Sequence, residues 1–222
     1  LALGSIASAL SLTGQIGRSR QIKAIVTAVK QTDDITEVTC KLEGPWQTHR
    51  PGQFAFITFG KFEGAHPFTI ASAERGDRTI TFFIKALGDF TRCIAQKIEV
   101  GQTVTVEGPY GRFQLDRHSR KRSQIWVAGG VGVTPFIAWL ESLQGSTAHS
   151  LEADLHYCTR NRENDHFIVR LHALCENLPG IRLHVHSAQH GDLLKAESLM
   201  PKTPSRETPK CGSAGHAGWP MP

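Results

Sequence analysis

The stretch Val127-Ala128-Gly129-Gly130-Val131-Gly132-Val133-Thr134-Pro135 decides how this chain is read. An apolar run, 124–128, stops at three glycines within four positions and is followed by a proline that suits a helix's first turn. The pattern predicts a strand, a tight turn and a helix, since proline at a helix start forfeits no hydrogen bond. Glycines let a backbone approach a pyrophosphate closely, and a helix start offers unpaired N–H groups and the positive end of a dipole. A glycine-rich turn alone also fits an ordinary strand-to-helix loop. Its place between strand and helix makes it a candidate dinucleotide site.

Downstream of this turn, strand and helix alternate. Residues 133–143 read as a helix, 151–157 as a strand, 166–177 as a helix and 181–186 as a strand, a parallel doubly wound pattern. Upstream the rhythm is different. The runs 22–29, 35–42, 53–59, 79–87 and 103–106 are short, rich in β-branched and aromatic residues, and separated by Gly, Pro and Asp turns. One helical interruption falls at 91–98. Strands at this spacing predict a closed antiparallel β-barrel. The fold class is thus an antiparallel β-barrel followed by an α/β parallel-sheet domain.

Composition sets the outer limits. With 222 residues, 40% hydrophobic and 20% charged, the chain can build a core, which excludes a disordered polymer or a miniature disulfide scaffold. The five cysteines (Cys40, Cys93, Cys158, Cys175, Cys211) are odd in number and lack zinc-site spacing, so free thiols are expected. The charge of +5 comes largely from Arg18, Arg20 and Lys23 and from Arg117, Arg120, Lys121 and Arg122. Without an interleaved aromatic stripe these clusters are linkers, and no nucleic-acid partner is expected. Residues Leu1 to Ile16 are apolar and uncharged and run into the cations Arg18 and Arg20. That order reads as the end of a transmembrane helix with its basic edge on the cytoplasmic side.

Two further stretches carry chemistry. His66-Pro67-Phe68-Thr69-Ile70-Ala71-Ser72 closes a strand, and Lys85-Ala86-Leu87-Gly88-Asp89-Phe90-Thr91 joins a strand to a helix. The second forms another helix start suited to an anion, with the Thr91 hydroxyl as a donor. Two such starts in one chain point to two nucleotides.

Together with Gly108-Pro109-Tyr110-Gly111, these motifs resemble the ferredoxin-NADP reductase superfamily, and its ferric reductase-like branch in particular. The resemblance covers about residues 20–200, with four motifs in the family's order. It implies a membrane or juxtamembrane stub at 1–19, an FAD-binding β-barrel at 20–116, a basic linker at 117–123 and an NAD(P)-binding α/β domain at 124–222 that is incomplete at its C-terminus. It implies an NAD(P)H-dependent FAD oxidoreductase on the cytoplasmic face of a membrane. The donor would be NADPH or NADH, and the acceptor haem in a membrane portion, a ferric chelate or a redox protein. A soluble ferredoxin or flavin reductase and a non-catalytic nucleotide-binding fragment are the alternatives.

The resemblance also implies site residues. His66, Pro67, Phe68 and Thr69 would line the flavin, with the Thr69 hydroxyl beside its hydride-accepting nitrogen. The run from Phe82 through Phe83 to Lys85 would flank the flavin's other side, and Gly88, Phe90 and Thr91 would hold its pyrophosphate. Gly129, Gly130, Gly132, Thr134 and Pro135 would bind the nicotinamide dinucleotide. His66 stands where soluble ferredoxin reductases carry arginine and matches the ferric reductase branch.

Arg160 and Arg162 follow the strand 151–157 where the family meets the adenosine ribose, and guanidinium groups there suit a 2′-phosphate. His184 and His186 alternate on one strand face, and without an evident third ligand no metal is expected. Cys211-Gly212 is the nearest match to a family motif whose thiol lies by the nicotinamide, yet five of the eleven prolines follow Met200 and no apolar strand precedes Cys211. Codons consistent with Lys210 to His216 spell VWFCGP in another frame, so the tail reads as frameshifted.

Overall fold

The computed structural model describes residues 17–60, 63–115, 123–145 and 151–199. Strand β1 (Gln21–Thr32) turns at Asp33 and Asp34 into β2 (Ile35–Glu43). Asp33 takes a φ of 51°, a left-handed conformation that Asp and Asn tolerate better than other side-chain-bearing residues. The remaining strands of this half are β3 (Phe54–Thr58), β4 (His66–Thr69), β5 (Thr79–Lys85) and β6 (Thr103–Tyr110). Two short helices, α1 (Asp89–Arg92) and α2 (Ile94–Lys97), lie between β5 and β6.

These strands form one antiparallel sheet in the order β4-β3-β6-β1-β2-β5. Its two edges meet just beyond β4, where the Ala71 N–H donates to the Thr81 carbonyl at 2.8 Å. The Thr81 N–H in turn donates to the Ser72 hydroxyl at 3.1 Å. The edge strands thereby find partners, and the sheet curls into the expected barrel. Alternation does the rest: Val26, Cys40, Ile57, Ile80, Phe82 and Val106 all point inward and are fully buried.

In the second half, β7 (Gln124–Gly129), β8 (Ala153–Thr159) and β9 (Ile181–Ser187) form a parallel sheet in that order. Helix α3 (Thr134–Leu143) joins β7 to β8, and α4 (His166–Glu176) joins β8 to β9. The Asp165 carboxylate caps α4 by accepting the Phe167 N–H at 3.0 Å. Trp126, Leu155 and Tyr157 bury one face of the sheet beneath Phe136, Leu140 and Leu171. The other face carries Ile125 and Val127, each nearly half exposed, so among the described residues the sheet is wound on one side. No helix among those residues is long and apolar enough to cross a membrane. The membrane stub expected at 1–19 lies outside them through residue 16, as do most of the basic linker and the tail with Cys211.

The two halves share a core. Ile35, Ala71 and Phe83 of the barrel pack in the same cluster as Trp126, Phe136 and Leu171. Arg170 of α4 bridges them: one guanidinium nitrogen lies 3.0 Å from Glu37 on β2 and another 3.0 Å from Glu141 on α3. The same guanidinium sits 5.0 Å from the centre of the Phe83 ring. Glu141 is only 6% exposed at its side chain and also accepts Arg75 at 2.7 Å and the Ala73 N–H at 3.2 Å. On the other flank the Trp139 indole N–H donates to the Pro51 carbonyl at 3.1 Å.

Arg170→Ala strands a nearly buried carboxylate and is expected to cost about 2 kcal/mol, less than a fully orphaned charge because Arg75 and Ala73 remain. Arg75→Ala removes a guanidinium that is 58% exposed and is expected to cost at most about 1 kcal/mol. Urea denaturation of both variants measures the difference, and equal losses would contradict this account of the joint.

Candidate functional site

The glycine turn lies where the two halves meet. β7 ends at Gly129, a single 3₁₀ turn spans Gly130–Val133, and α3 begins at Thr134 with Pro135 in its first turn. Gly130 adopts a φ of 50°, which a larger residue would enter only with strain. The turn separates two clefts. Gly132, Thr134 and Pro135 face a cleft of about 650 Å³, and Gly129 and Gly130 face another of about 530 Å³. Val131 and Lys85 line both. Volumes of this order suit small-molecule sites.

The larger cleft gathers most of the expected flavin residues. His66, Pro67, Phe68 and Thr69 of β4 form one wall, joined by Phe83, Lys85, Gly88 and Thr91. A Cβ added at Gly88 or at Gly132 would meet nothing within 4 Å, so both backbones stand open, as a cradle for a large planar ligand requires. Phe90 lies in α1.

Two expectations need correction. The run from Phe82 to Lys85 does not form a single surface, because side chains alternate along β5: Phe82 is buried in the barrel while Phe83 and Lys85 face the second half. The Thr91 hydroxyl accepts the N–H groups of Leu87 and Gly88, each at 2.9 Å, and donates to the Gly88 carbonyl at 3.1 Å. It organises the loop rather than projecting a donor outward. The Thr134 hydroxyl is likewise spent on the Val131 carbonyl at 2.6 Å.

The smaller cleft lies over the ends of β7 and β8. Arg160 lines it, together with Asn161 and Asn164. Arg162 does not line it: its guanidinium donates to the Val185 carbonyl at 2.6 Å and lies 3.5 Å from Asp192. The two arginines expected to act together therefore point to different neighbours.

Tyr157 sits at the floor of this cleft, its hydroxyl donating to Asp165 at 2.7 Å. Burial, then the bond and charge of Asp165, push the phenol's pKa above its ordinary value, so it stays a hydrogen-bond donor. His166 lines both this cleft and the groove beside α4, and burial lowers its pKa against the opposing charges of Asp165, Glu37 and Asp33.

The far wall comes from the barrel: the β1–β2 turn places Asp33 and Asp34 in the cleft, with Asp34 3.3 Å from the Lys85 ammonium. Sequence reasoning passed over Asp33, Asp34, Tyr157 and Asp165. Only Asp165 left a local trace, as an acidic residue immediately before a helix.

His184 and His186 have a neighbour that the sequence did not reveal. His156 stacks on them, with ring centres 4.6 and 5.3 Å away. One nitrogen of His184 lies 2.7 Å from Asp154, and one of His156 lies 3.0 Å from a nitrogen of His186. Among the described residues no group of three or more His, Cys, Asp or Glu is arranged to hold a metal ion.

A barrel joined to a parallel α/β unit, with a glycine turn between two clefts, defines a flavin- and dinucleotide-binding architecture. Residues 18–114 match a family described as an FAD-binding domain. The chain is 28% identical over 171 residues to the ferredoxin–NAD(P)(+) reductase component of naphthalene 1,2-dioxygenase/salicylate 5-hydroxylase systems from Ralstonia, covering 75% of this chain and 50% of that one. It is 33% identical over 112 residues to ferric reduction oxidase 8, mitochondrial, of Arabidopsis thaliana, covering 45% of this chain and 15% of that one. The chain spans half or less of these curated relatives. Among solved structures, the cytochrome b5 reductase domain of Ulva prolifera nitrate reductase superposes with a TM-score of 0.64 at 22% identity, covering 76% of this chain and 74% of that one. Residues 18–114 thus carry an FAD-binding domain, and the chain is similar to reductases of the ferredoxin-NADP reductase superfamily, with relatives in its ferric-reductase-like branch.

The thiols provide a check on the burial described here. Burial raises the Cys40 pKa to about 12 and that of Cys175 to about 11, whereas Cys93 is exposed. Since the thiolate is the nucleophile, burial leaves the Cys40 thiol almost wholly protonated and unreactive near neutral pH. Alkylation mapped by mass spectrometry is expected to label Cys93 first among the cysteines in the described residues, and Cys40 only after denaturation. Early labelling of Cys40 would show that the barrel core is open.

Proposed function

We propose that this chain is the electron-input portion of an oxidoreductase that takes electrons from NAD(P)H onto FAD and passes them singly to an acceptor. The observation that carries the proposal is the meeting of two clefts at one glycine turn, with Thr69 of the barrel and Gly132 of the α/β half lining the same cavity. Bound there, FAD supplies a centre that accepts a hydride from nicotinamide and releases electrons one at a time.

The chain's own part is positioning. His66 to Thr69, with Phe83 opposite, would hold the flavin ring, and the Thr69 hydroxyl would lie against its reactive edge. Gly88 and the loop capped by Thr91 would hold the pyrophosphate, aided by Phe90 of α1. Gly129 and Gly130 let the second dinucleotide approach the backbone closely, while Gly132, Thr134 and Pro135 shape the wall where nicotinamide would meet the flavin. Among the described residues, Arg160 and Lys85 are the cations that line the cleft for its phosphates. Arg162 would act at a remove, fixing the loop through the Val185 carbonyl and Asp192. Cys211 remains a proposal from the resemblance alone and lies outside the described residues.

For the acceptor we propose a one-electron carrier, with haem in an adjoining membrane portion or a redox protein as the two readings. A relative named as a ferric reduction oxidase supports the first, and one named as a ferredoxin reductase component supports the second. The first also carries the proposal of a location on the cytoplasmic face of a membrane.

Anaerobic addition of NADH or NADPH to the FAD-loaded protein is expected to bleach the flavin absorbance. Gly132→Val, which fills the shared wall, is expected to slow bleaching at least roughly tenfold while FAD stays bound, because near-attack geometry tolerates little displacement. Tight FAD binding with no bleaching by either dinucleotide would leave a nucleotide-binding module and sink the oxidoreductase reading.

A further inference from the structure

The cleft assigned to the second dinucleotide has an unexpected wall. Its floor and one side come from the α/β half, but its far side is the β1–β2 turn of the barrel, with Asp33 and Asp34 at the tip. Among the described residues, three carboxylates line the cleft, those of Asp33, Asp34 and Asp165, against the two cations Lys85 and Arg160. Lys85 is paired with Asp34 at 3.3 Å. Arg162, the second guanidinium that could have met a phosphate, is held against Val185 and Asp192. Asp165 accepts the Tyr157 hydroxyl, the Thr159 hydroxyl and the Phe167 N–H, which hold its charge in place. The cleft therefore balances slightly to the negative.

NADPH differs from NADH by a 2′-phosphate on the adenosine ribose, a monoester carrying about −1.5 to −2 charges at neutral pH. Such a group needs several donors with positive charge and is disfavoured beside carboxylates. Of the paired arginines that would suit it, only Arg160 lines the cleft.

We propose that the Asp33-Asp34 turn of the barrel is a specificity element that disfavours a 2′-phosphate and makes NADH the preferred donor. The inference deepens the functional reading above and rests on it. It places dinucleotide choice partly in the flavin-binding half, where an electrostatic wall acts across the domain joint.

Calorimetry with ADP-ribose and 2′-phospho-ADP-ribose tests the proposal without flavin turnover. The unaltered protein is expected to bind ADP-ribose the more tightly. Asp33→Asn with Asp34→Asn keeps a residue that tolerates the left-handed turn, removes two negative charges and releases Lys85. This variant is expected to shift the affinity ratio toward the 2′-phosphorylated ligand by roughly tenfold at low salt. If the double variant does not fold, the unaltered protein supplies a second measurement. Raising ionic strength from about 0.02 to about 0.5 M screens the repulsion and is expected to narrow the ratio.

Tighter binding of the 2′-phosphorylated ligand by the unaltered protein overturns the proposal. So does a ratio that neither the substitutions nor salt can move, and in both cases the dinucleotide-site reading stands. Failure of both ligands to bind removes that parent reading, and the proposal with it.

Discussion

The placement of the two clefts depends on the joint made by Arg170, Glu141, Glu37 and Phe83. A planar guanidinium can satisfy two carboxylates at once while its face lies on an aromatic ring, which an ammonium cannot do. Here that capacity ties α4 to α3 and both to two barrel strands, through ion pairs at 3.0 Å and a ring contact at 5.0 Å. The low exposure of Glu141 makes the arrangement demanding, since a nearly buried carboxylate must keep its partners. Because β2, β5 and α3 also carry residues beside the two clefts, the joint sets the distance between Thr69 and Gly132. A flavin and a nicotinamide held by separate units would need that distance fixed within fractions of an ångström.

The glycine turn adds a second constraint. It must end a buried strand, start a helix, leave its backbone open on two sides and fit beneath Lys85, whose ammonium lies 3.9 Å from where a Gly130 Cβ would sit. Its own polar side chain, Thr134, is consumed in holding the turn. What the turn itself offers a ligand is backbone and shape.

The legible part of the sequence is whatever repeats locally. Barrel strands announced themselves as short β-branched and aromatic runs between Gly, Pro and Asp turns, and the α/β half through the alternation of strand and helix after the glycine turn. Phe82 and Phe83 show the limit. Adjacent in sequence, they serve opposite faces of β5, and treating the run as one surface ignores the period of two along a strand. Arg160 and Arg162 repeat the lesson beyond a strand end, where the loop path and the Val185 carbonyl decide their directions. Asp33 and Asp34 read as an ordinary hairpin tip. Only tertiary packing, which brings that tip over Tyr157 more than a hundred residues later, makes them part of a ligand cleft. His156 was hidden for the same reason, its partners lying on the neighbouring strand.

The shared core also bears on how the chain is made. Ile35, Ala71 and Phe83 belong to strands or turns completed before any of the α/β half is synthesised, yet they pack in the cluster that the later half buries. A barrel emerging first thus displays a small apolar patch. Trp126, Phe136 and Leu171 then condense on a surface already in place. The earlier half serves as a template for the later one, and the two are expected to melt together rather than in sequence.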